Sequence, residues 1–234
     1  AGGHPGPQET PMSLRAQPLD RRLHDSDITR IQTTTMLQKS DEWCATAHIR
    51  IVWSVPAYFD PATQSRSVEF GAVVIDHFVS LRLGAKTVDV ETWVDNQAED
   101  HRLRMIIPTG MHLTHANVGS PFDVVRRPVL HPHDPTWHQP LVPTQPMERF
   151  IAVEGTEDGK NDGGFALIAP GVNEYEVVLS DDSDPGGYDL ALTLVRSVGW
   201  TSQAGFGSRP SAADAIIAAP GAQCMGSSII RWSL

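Results

Sequence analysis

From Glu42 to Val55 the chain alternates apolar and polar side chains. Trp43, Ala45, Ala47, Ile49, Ile51, Trp53 and Val55 fall on one side of an extended backbone. Cys44, Thr46, His48, Arg50 and Ser54 fall on the other. This is the period-two pattern of a half-buried strand. "YFDPATQSRS" follows as a loop with Pro61 as its breaker. "VEFGAVVIDHFVSLRLG", the turn "LGAK" and "TVDVETWV" come next, and the last of these sets Val88, Val90 and Val94 against Asp89, Glu91, Trp93 and Asp95. In "HRLRMIIPTG" Leu103, Met105 and Ile107 point inward, and Arg102 and Arg104 point outward. "ERFIAVE", "GGFALIAP", "NEYEVVLS", "YDLALTLVR" and "SSIIRWS" are further strands.

Helical periodicity is nearly absent. "SAADAIIAA" predicts one short helix, with Ser211 as N-cap and Pro220 as its stop. Many short strands between Gly, Pro, Asp and Asn turns predict an all-β, antiparallel sandwich. The stretch from Asn117 to about Met147, rich in proline, reads as irregular, and a loop of that length is usually functional or covered by another domain. Residues 1–30 are polar and rich in Pro and Gly, which predicts a flexible arm or linker, and residues 31–234 form the β-domain.

Composition narrows the choice of partners. With 18 basic and 28 acidic residues the formal charge is −10. No basic block is present to neutralise phosphates, so nucleic acid is an unsuitable partner while neutral sugars remain open. No apolar run approaches the ~20 residues that span a bilayer, and no hydrophobic signal core opens the chain. A cytoplasmic location without membrane contact is therefore expected. Cys44 and Cys224 lack zinc-ligand spacing. They are either one long-range disulfide or two buried thiols.

Three constellations could carry chemistry. The turn between the strands around residue 100 crowds Asp95, Asn96, Asp100, His101 and Arg102 together. Asp95 and Asp100 would supply the two carboxyls that glycoside cleavage needs, with His101 as a proton carrier. Asp and Asn are also ordinary turn residues. In "LHPHDPTWHQP" His131, His133 and His138 beside Asp134 are competent zinc ligands, although the Pro-rich spacing equally fits an exposed polar loop. Arg196 and Trp200 directly follow an apolar strand. An Arg there can clamp a carboxylate and a Trp can stack on a sugar or plug the sandwich end. No phosphate loop, nucleophile elbow or His-Glu-x-x-His helix is present.

"VDNQAEDHRLRMIIPTG", "SPFDVVRRPV", "PMERFIAVEG", "NEYEVVLSDD", "LALTLVRSVGW" and "APGAQCMG" occur in an order that resembles the C-terminal β-region of family 38 glycoside hydrolases, the α-mannosidases. The bacterial members are the most similar, and the likeness runs from about Ile31 to the end. It implies a supersandwich like that of galactose mutarotase. It also implies a non-catalytic role beside a catalytic barrel and a helical domain that this stretch does not contain. Zinc and both catalytic carboxylates would belong to that barrel, so this chain would hold no catalytic residue, metal or cofactor of its own. Asp95, Asn96, Asp100, His101, Arg102, Arg104, Arg196 and Trp200 become candidates for substrate binding or for contact with the barrel. Arg102 and Arg104 would pair with acidic groups of that neighbour. Relatives carry an Asn-Asp-Gly-like turn where this chain reads "IAPGVNEYEV", which puts that turn's share of a sugar pocket in doubt. Two other readings stand beside this one. The first is a free-standing carbohydrate-binding module using Trp53, Trp93, Trp137 or Trp200. The second is an aldose epimerase using His48, His77 or His101, for which spacing identifies no carboxylate partner.

Overall fold

The structure is a computed structural model that describes residues 30–60, 62–63, 65–130, 142–157, 160–180, 187–200 and 217–234. The strands in chain order are β1 (Arg30–Ser40), β2 (Cys44–Pro56), β3 (Phe59–Asp60), β4 (Ser65–Arg66), β5 (Phe70–Arg82), β6 (Val88–Asn96), β7 (Arg102–Met111) and β8 (Leu113–Ser120). They continue with β9 (Asp123–Pro128), β10 (Gln145–Pro146), β11 (Phe150–Glu157), β12 (Lys160–Ile168), β13 (Glu174–Leu179), β14 (Tyr188–Arg196) and β15 (Gly226–Ser233). A single 3-10 turn, Pro220–Gln223, is the helical element among the described residues. No helix there is long and apolar enough to cross a membrane.

Nine strands form one antiparallel sheet in the order β1-β2-β5-β6-β15-β12-β11-β8-β9, and β10-β13-β14-β7 form a second. The last strand holds the large sheet together. β15 pairs with β6 from Gly226↔Asn96 to Ser233↔Asp89, but meets β12 only at Ile168↔Ser233. The inward faces of the two sheets make the core. Val90, Val118, Ile151, Val153, Leu167 and Trp232 from the large sheet enclose Ile107, Tyr175, Leu190 and Leu192 from the small one. A second cluster sets Val73, Ile75 and Val94 against Leu103 and Val195. Ile151, Leu167, Leu190 and Leu192 are fully buried, and each such side chain contributes about 1.5–3 kcal/mol. The alternation in β6 and β7 survives intact, with Val90, Val94, Leu103 and Ile107 inward.

Two expectations meet corrections. The region after Asn117 is not irregular throughout: β8 and β9 form a hairpin paired from His115↔Pro128 to Ser120↔Asp123. Its edge strand hides from a sequence pattern because Pro128 and the paired Arg126 and Arg127 break the alternation, as edge strands tolerate. The helix expected from Ser211 falls mostly outside the described residues, and its last part is extended, with Ala218 bridged to Trp200. The His131, His133 and His138 loop lies outside the described residues, as does Trp137. In "IAPGVNEYEV", Val172 N–H donates to the Ala169 carbonyl at 3.1 Å, and Gly171 has φ +91°. Pro at the first central position and a positive-φ Gly at the second make a type II turn. Ala169, fully buried, anchors it in the core.

Candidate functional site

The β6–β7 connection is held from below by three distant segments. Asn96 is buried, and its Oδ1 accepts the Ala98 N–H at 3.1 Å, an Asx turn. Its Nδ2 donates to the Cys224 carbonyl at 3.2 Å. Asp100 adopts φ +56°, a left-handed state that Asp tolerates better than most residues. Its N–H donates to Gln223 Oε1 at 2.9 Å, Gln223 Nε2 donates to its Oδ1 at 2.8 Å, and Phe59 N–H donates to its Oδ2 at 3.1 Å. The Arg66 guanidinium donates to the carbonyls of Asp100 at 2.8 Å, Glu99 at 3.1 Å and Pro56. Ser197, buried, donates to the Gln223 carbonyl, and its N–H reaches the His101 carbonyl at 2.8 Å. Gly71 lets the connection lie this close: a Cβ there would stand 2.4 Å from the Gln97 carbonyl oxygen.

The second set stands on the outer face of the small sheet. Arg102 donates to Thr144 Oγ1 at 2.6 Å and to Glu176 Oε2 at 3.0 Å. Arg104 donates to the same Glu176 oxygen at 3.1 Å, and Thr144 Oγ1 also donates to it at 3.1 Å. Glu174 accepts from Thr193 Oγ1 at 2.9 Å and from Arg102 and Arg196 at 3.4 Å each. The side chains of Arg104 and Glu176 are only 5% and 4% exposed, whereas that of Arg196 is 65% exposed. The two buried charges therefore need each other. The acidic partners expected from a neighbouring domain are supplied by this chain itself.

The candidates thus divide into separate groups. Asp95 takes the Gln97 Nε2 at 2.9 Å on the outer face of the large sheet, and no hydrogen bond joins it to Asp100. Asn96 and Asp100 lie in the buried hub, and Arg102, Arg104 and Arg196 lie in the charged ladder. Trp200, 44% exposed, sits beside the hub. Trp53 packs with the second core cluster, while Trp93 stays 47% exposed and donates to Glu91 Oε1 at 2.6 Å. Gln223, Arg66, Ser197, Glu174 and Glu176 were not singled out by sequence. "NEYEVV" and "APGAQCMG" contain three of them, and the only local signal was the alternation of Glu174 and Glu176 on one face of a strand.

Both ring nitrogens of His101 are buried and make no well-formed hydrogen bond among the described residues, a weak contact with the Glu99 backbone apart. Burial holds its pKa below the ordinary 6.5. His77 is lowered for the same reason. The Thr92 hydroxyl accepts the Trp232 Nε1–H at 3.0 Å and lies 2.9 Å from His77 Nδ1, so donating its own proton to a neutral His77 satisfies every group. The unfolded chain then binds more protons than the folded one below pH 6.5, and stability falls with pH in that range. Urea midpoints are expected to be flat from pH 8 to 7 and to decline from about pH 6.5 toward 5. His101→Gln should shallow the decline. His48, by contrast, has a carboxylate partner: its Nε2 lies 2.6 Å from Asp76 Oδ1, and Arg50 holds the other oxygen at 2.9 Å. Cross-strand pairing of β2 with β5 makes this contact, which linear spacing could not show.

No group of three or more His, Cys, Asp or Glu among the described residues is arranged to hold a metal ion. Cys44 and Cys224 are free thiols. A groove lined by Phe78, Arg82, Asp89, Glu91, Ile168 and Arg231 among others has its charges paired as Arg82–Asp89 at 3.0 Å and Arg231–Glu91 at 2.7 Å.

The architecture is that of an antiparallel β-sandwich domain. Residues 30–203 match the model for the glycosyl hydrolases family 38 C-terminal domain, and the chain belongs to that family. It is 28% identical over 210 residues to a putative mannosylglycerate hydrolase of Halalkalibacterium halodurans, a match over 84% of this chain and 20% of the relative. An alpha-mannosidase from Enterococcus faecalis V583 superposes with a TM-score of 0.66 at 25% identity, over 87% of this chain and 22% of that one. A second glycosyl hydrolase family 38 structure from Enterococcus faecalis gives a TM-score of 0.62 at 24% identity over the same shares. The chain therefore spans about a fifth of the length of these relatives.

Proposed function

We propose that this chain is a non-catalytic β-domain of a retaining, zinc-dependent α-mannosidase of family 38. In this reading it braces a catalytic barrel and helical domain and presents Arg102, Arg196 and Trp200 toward them or toward the substrate. The observation that carries the reading is that the two carboxylates offered as a reacting pair stand apart and are tied up within this domain. Asp95 accepts Gln97 Nε2 on the outer face of the large sheet, while Asp100 accepts Gln223 Nε2 and the Phe59 N–H in the buried hub, an arrangement suited to bracing and not to two carboxyls facing one glycosidic bond. Leu37, Trp43, Leu81 and Leu83 add support. Each is more than half exposed near the β1–β2 end of the large sheet, as an apolar surface awaiting cover would be. One relative is a putative mannosylglycerate hydrolase and another an alpha-mannosidase, so an α-mannoside is the proposed substrate of the whole enzyme. Zinc, where that enzyme uses it, would be bound by the barrel and not by residues of this chain. A cytoplasmic location belongs to the same proposal.

The test is hydrolysis of p-nitrophenyl α-mannoside and of mannosylglycerate. The product of the native reading frame is expected to turn over at least one of them, to lose activity to a chelator and to regain it with zinc. The 234-residue chain alone is expected to show no turnover with or without the metal. Turnover by this chain alone would overturn the proposal. A saturable calorimetric response of the chain to methyl α-mannoside would instead favour a sugar-binding module.

A further inference from the structure

The β8–β9 hairpin turns on two residues, Pro121 and Phe122, with Ser120 paired to Asp123. Proline fixes its own φ near −65°, and Phe122 follows at φ +69°. Negative then positive φ is the type II pattern, whose second central position favours Gly or Asn. A bulky aromatic in the left-handed region is an outlier. Asp100 shares that region, but its carboxylate is held by Gln223 and Phe59. Phe122 is instead fully exposed, at 109% of its reference area. It thus strains the backbone and buries nothing in this domain, a breach of local rules of the kind that marks functional positions.

The tip is firmly mounted. Glu148 N–H donates to the Gly119 carbonyl at 2.8 Å. A Cβ on Gly119 would stand 2.1 Å from the Glu148 carbonyl oxygen and 3.1 Å from the Phe150 ring. Behind the tip, Val118 is completely buried. Beyond it, Val124 and Val125 are 52% and 37% exposed on opposite faces of β9, an edge strand of the large sheet. Asp123, next in the chain, takes the Val124 N–H at 2.7 Å. A fully exposed aromatic ring followed by Val124 and Val125 on the adjoining strand has the make-up of an anchor for an enclosing apolar socket in a protein.

We propose that Phe122 is a preformed anchor that inserts into an apolar socket on the remaining portion of the family 38 polypeptide and fixes this domain against it. The inference rests on the reading that this chain is one domain of a longer enzyme, since its relatives are about four times as long as this chain.

The test compares Phe122→Gly and Phe122→Leu in the 234-residue chain and in the native full-length polypeptide. In the chain alone, Phe122→Gly should raise Tm by a few degrees, because strain is relieved and no burial is lost. In the full-length protein the same substitution should lower Tm and speed limited proteolysis between the domains ~10-fold or more, as loss of a buried aromatic anchor does. Phe122→Leu should keep most of the full-length protein's resistance. A full-length enzyme that hydrolyses mannosides and is indifferent to Phe122→Gly would overturn the anchor while leaving the domain reading intact. Destabilisation of the chain alone would overturn it too, as would a dimer of the chain that Phe122→Gly dissolves, which would make a second copy the partner. A reading frame that yields no longer polypeptide would remove the domain reading itself, and the anchor with it.

Discussion

Glu176→Ala is expected to destabilise the domain by about 3–5 kcal/mol, the usual loss when one partner of a buried ion pair is removed. One Glu176 oxygen receives Arg102, Arg104 and Thr144 at 3.0–3.1 Å. Removing it takes this counter-charge from the Arg104 guanidinium, whose side chain is 5% exposed. The neighbouring Glu174 is already engaged, accepting Thr193, Arg102 and Arg196. Glu176→Gln keeps the volume and an acceptor and should lose less. Arg196→Ala is the control: its side chain is 65% exposed and meets Glu174 at 3.4 Å, so it should change stability by less than about 1 kcal/mol. Urea denaturation of the three variants measures the ranking. For a domain of this size the Glu176→Ala loss corresponds to a Tm fall on the order of 10 °C.

Asp100→Ala should lose about 2–4 kcal/mol. Two hydrogen bonds to a charged acceptor disappear, each normally worth about 1.5–3 kcal/mol before partial replacement by water. Alanine at φ +56° adds about 1–2 kcal/mol of left-handed strain. Gln223 then loses the acceptor for its Nε2 and Phe59 N–H loses its own, so β3 and the 3-10 turn loosen together. Asp100→Asn, which tolerates the backbone and keeps one acceptor, should lose about half as much. Thermal unfolding of both variants checks this. Were Asp100 a reacting group held in open solvent, alanine would leave stability nearly untouched.

How far the sequence carries differs between backbone and site. β2, β6 and β7 are legible because one face is buried and a period of two follows directly. Arg102 and Arg104 are correctly placed on the face opposite Leu103, but outward from the core does not mean exposed. Glu176 reaches over β14 to cover them, and the 72 residues between Arg104 and Glu176 leave no local trace. Gln223 lies 123 residues from Asp100 and sits in a segment with no strand pattern. The turn chemistry around Asp100 is readable from its Asp and Asn content. That the same residues are the keystone of three segments is a tertiary fact, fixed by which strands become neighbours. His48 and Asp76 make the same point on the other sheet.

The most direct measurement separates folding from chemistry in the full-length enzyme. It is kcat/KM per folded molecule for Asp100→Asn and Glu176→Gln, assayed well below their melting temperatures, against Tm for the same variants. A bracing domain predicts lowered Tm with kcat/KM within a few-fold of the parent enzyme. A drop of 100-fold or more with Tm unchanged would place these carboxylates in the reaction and contradict the account.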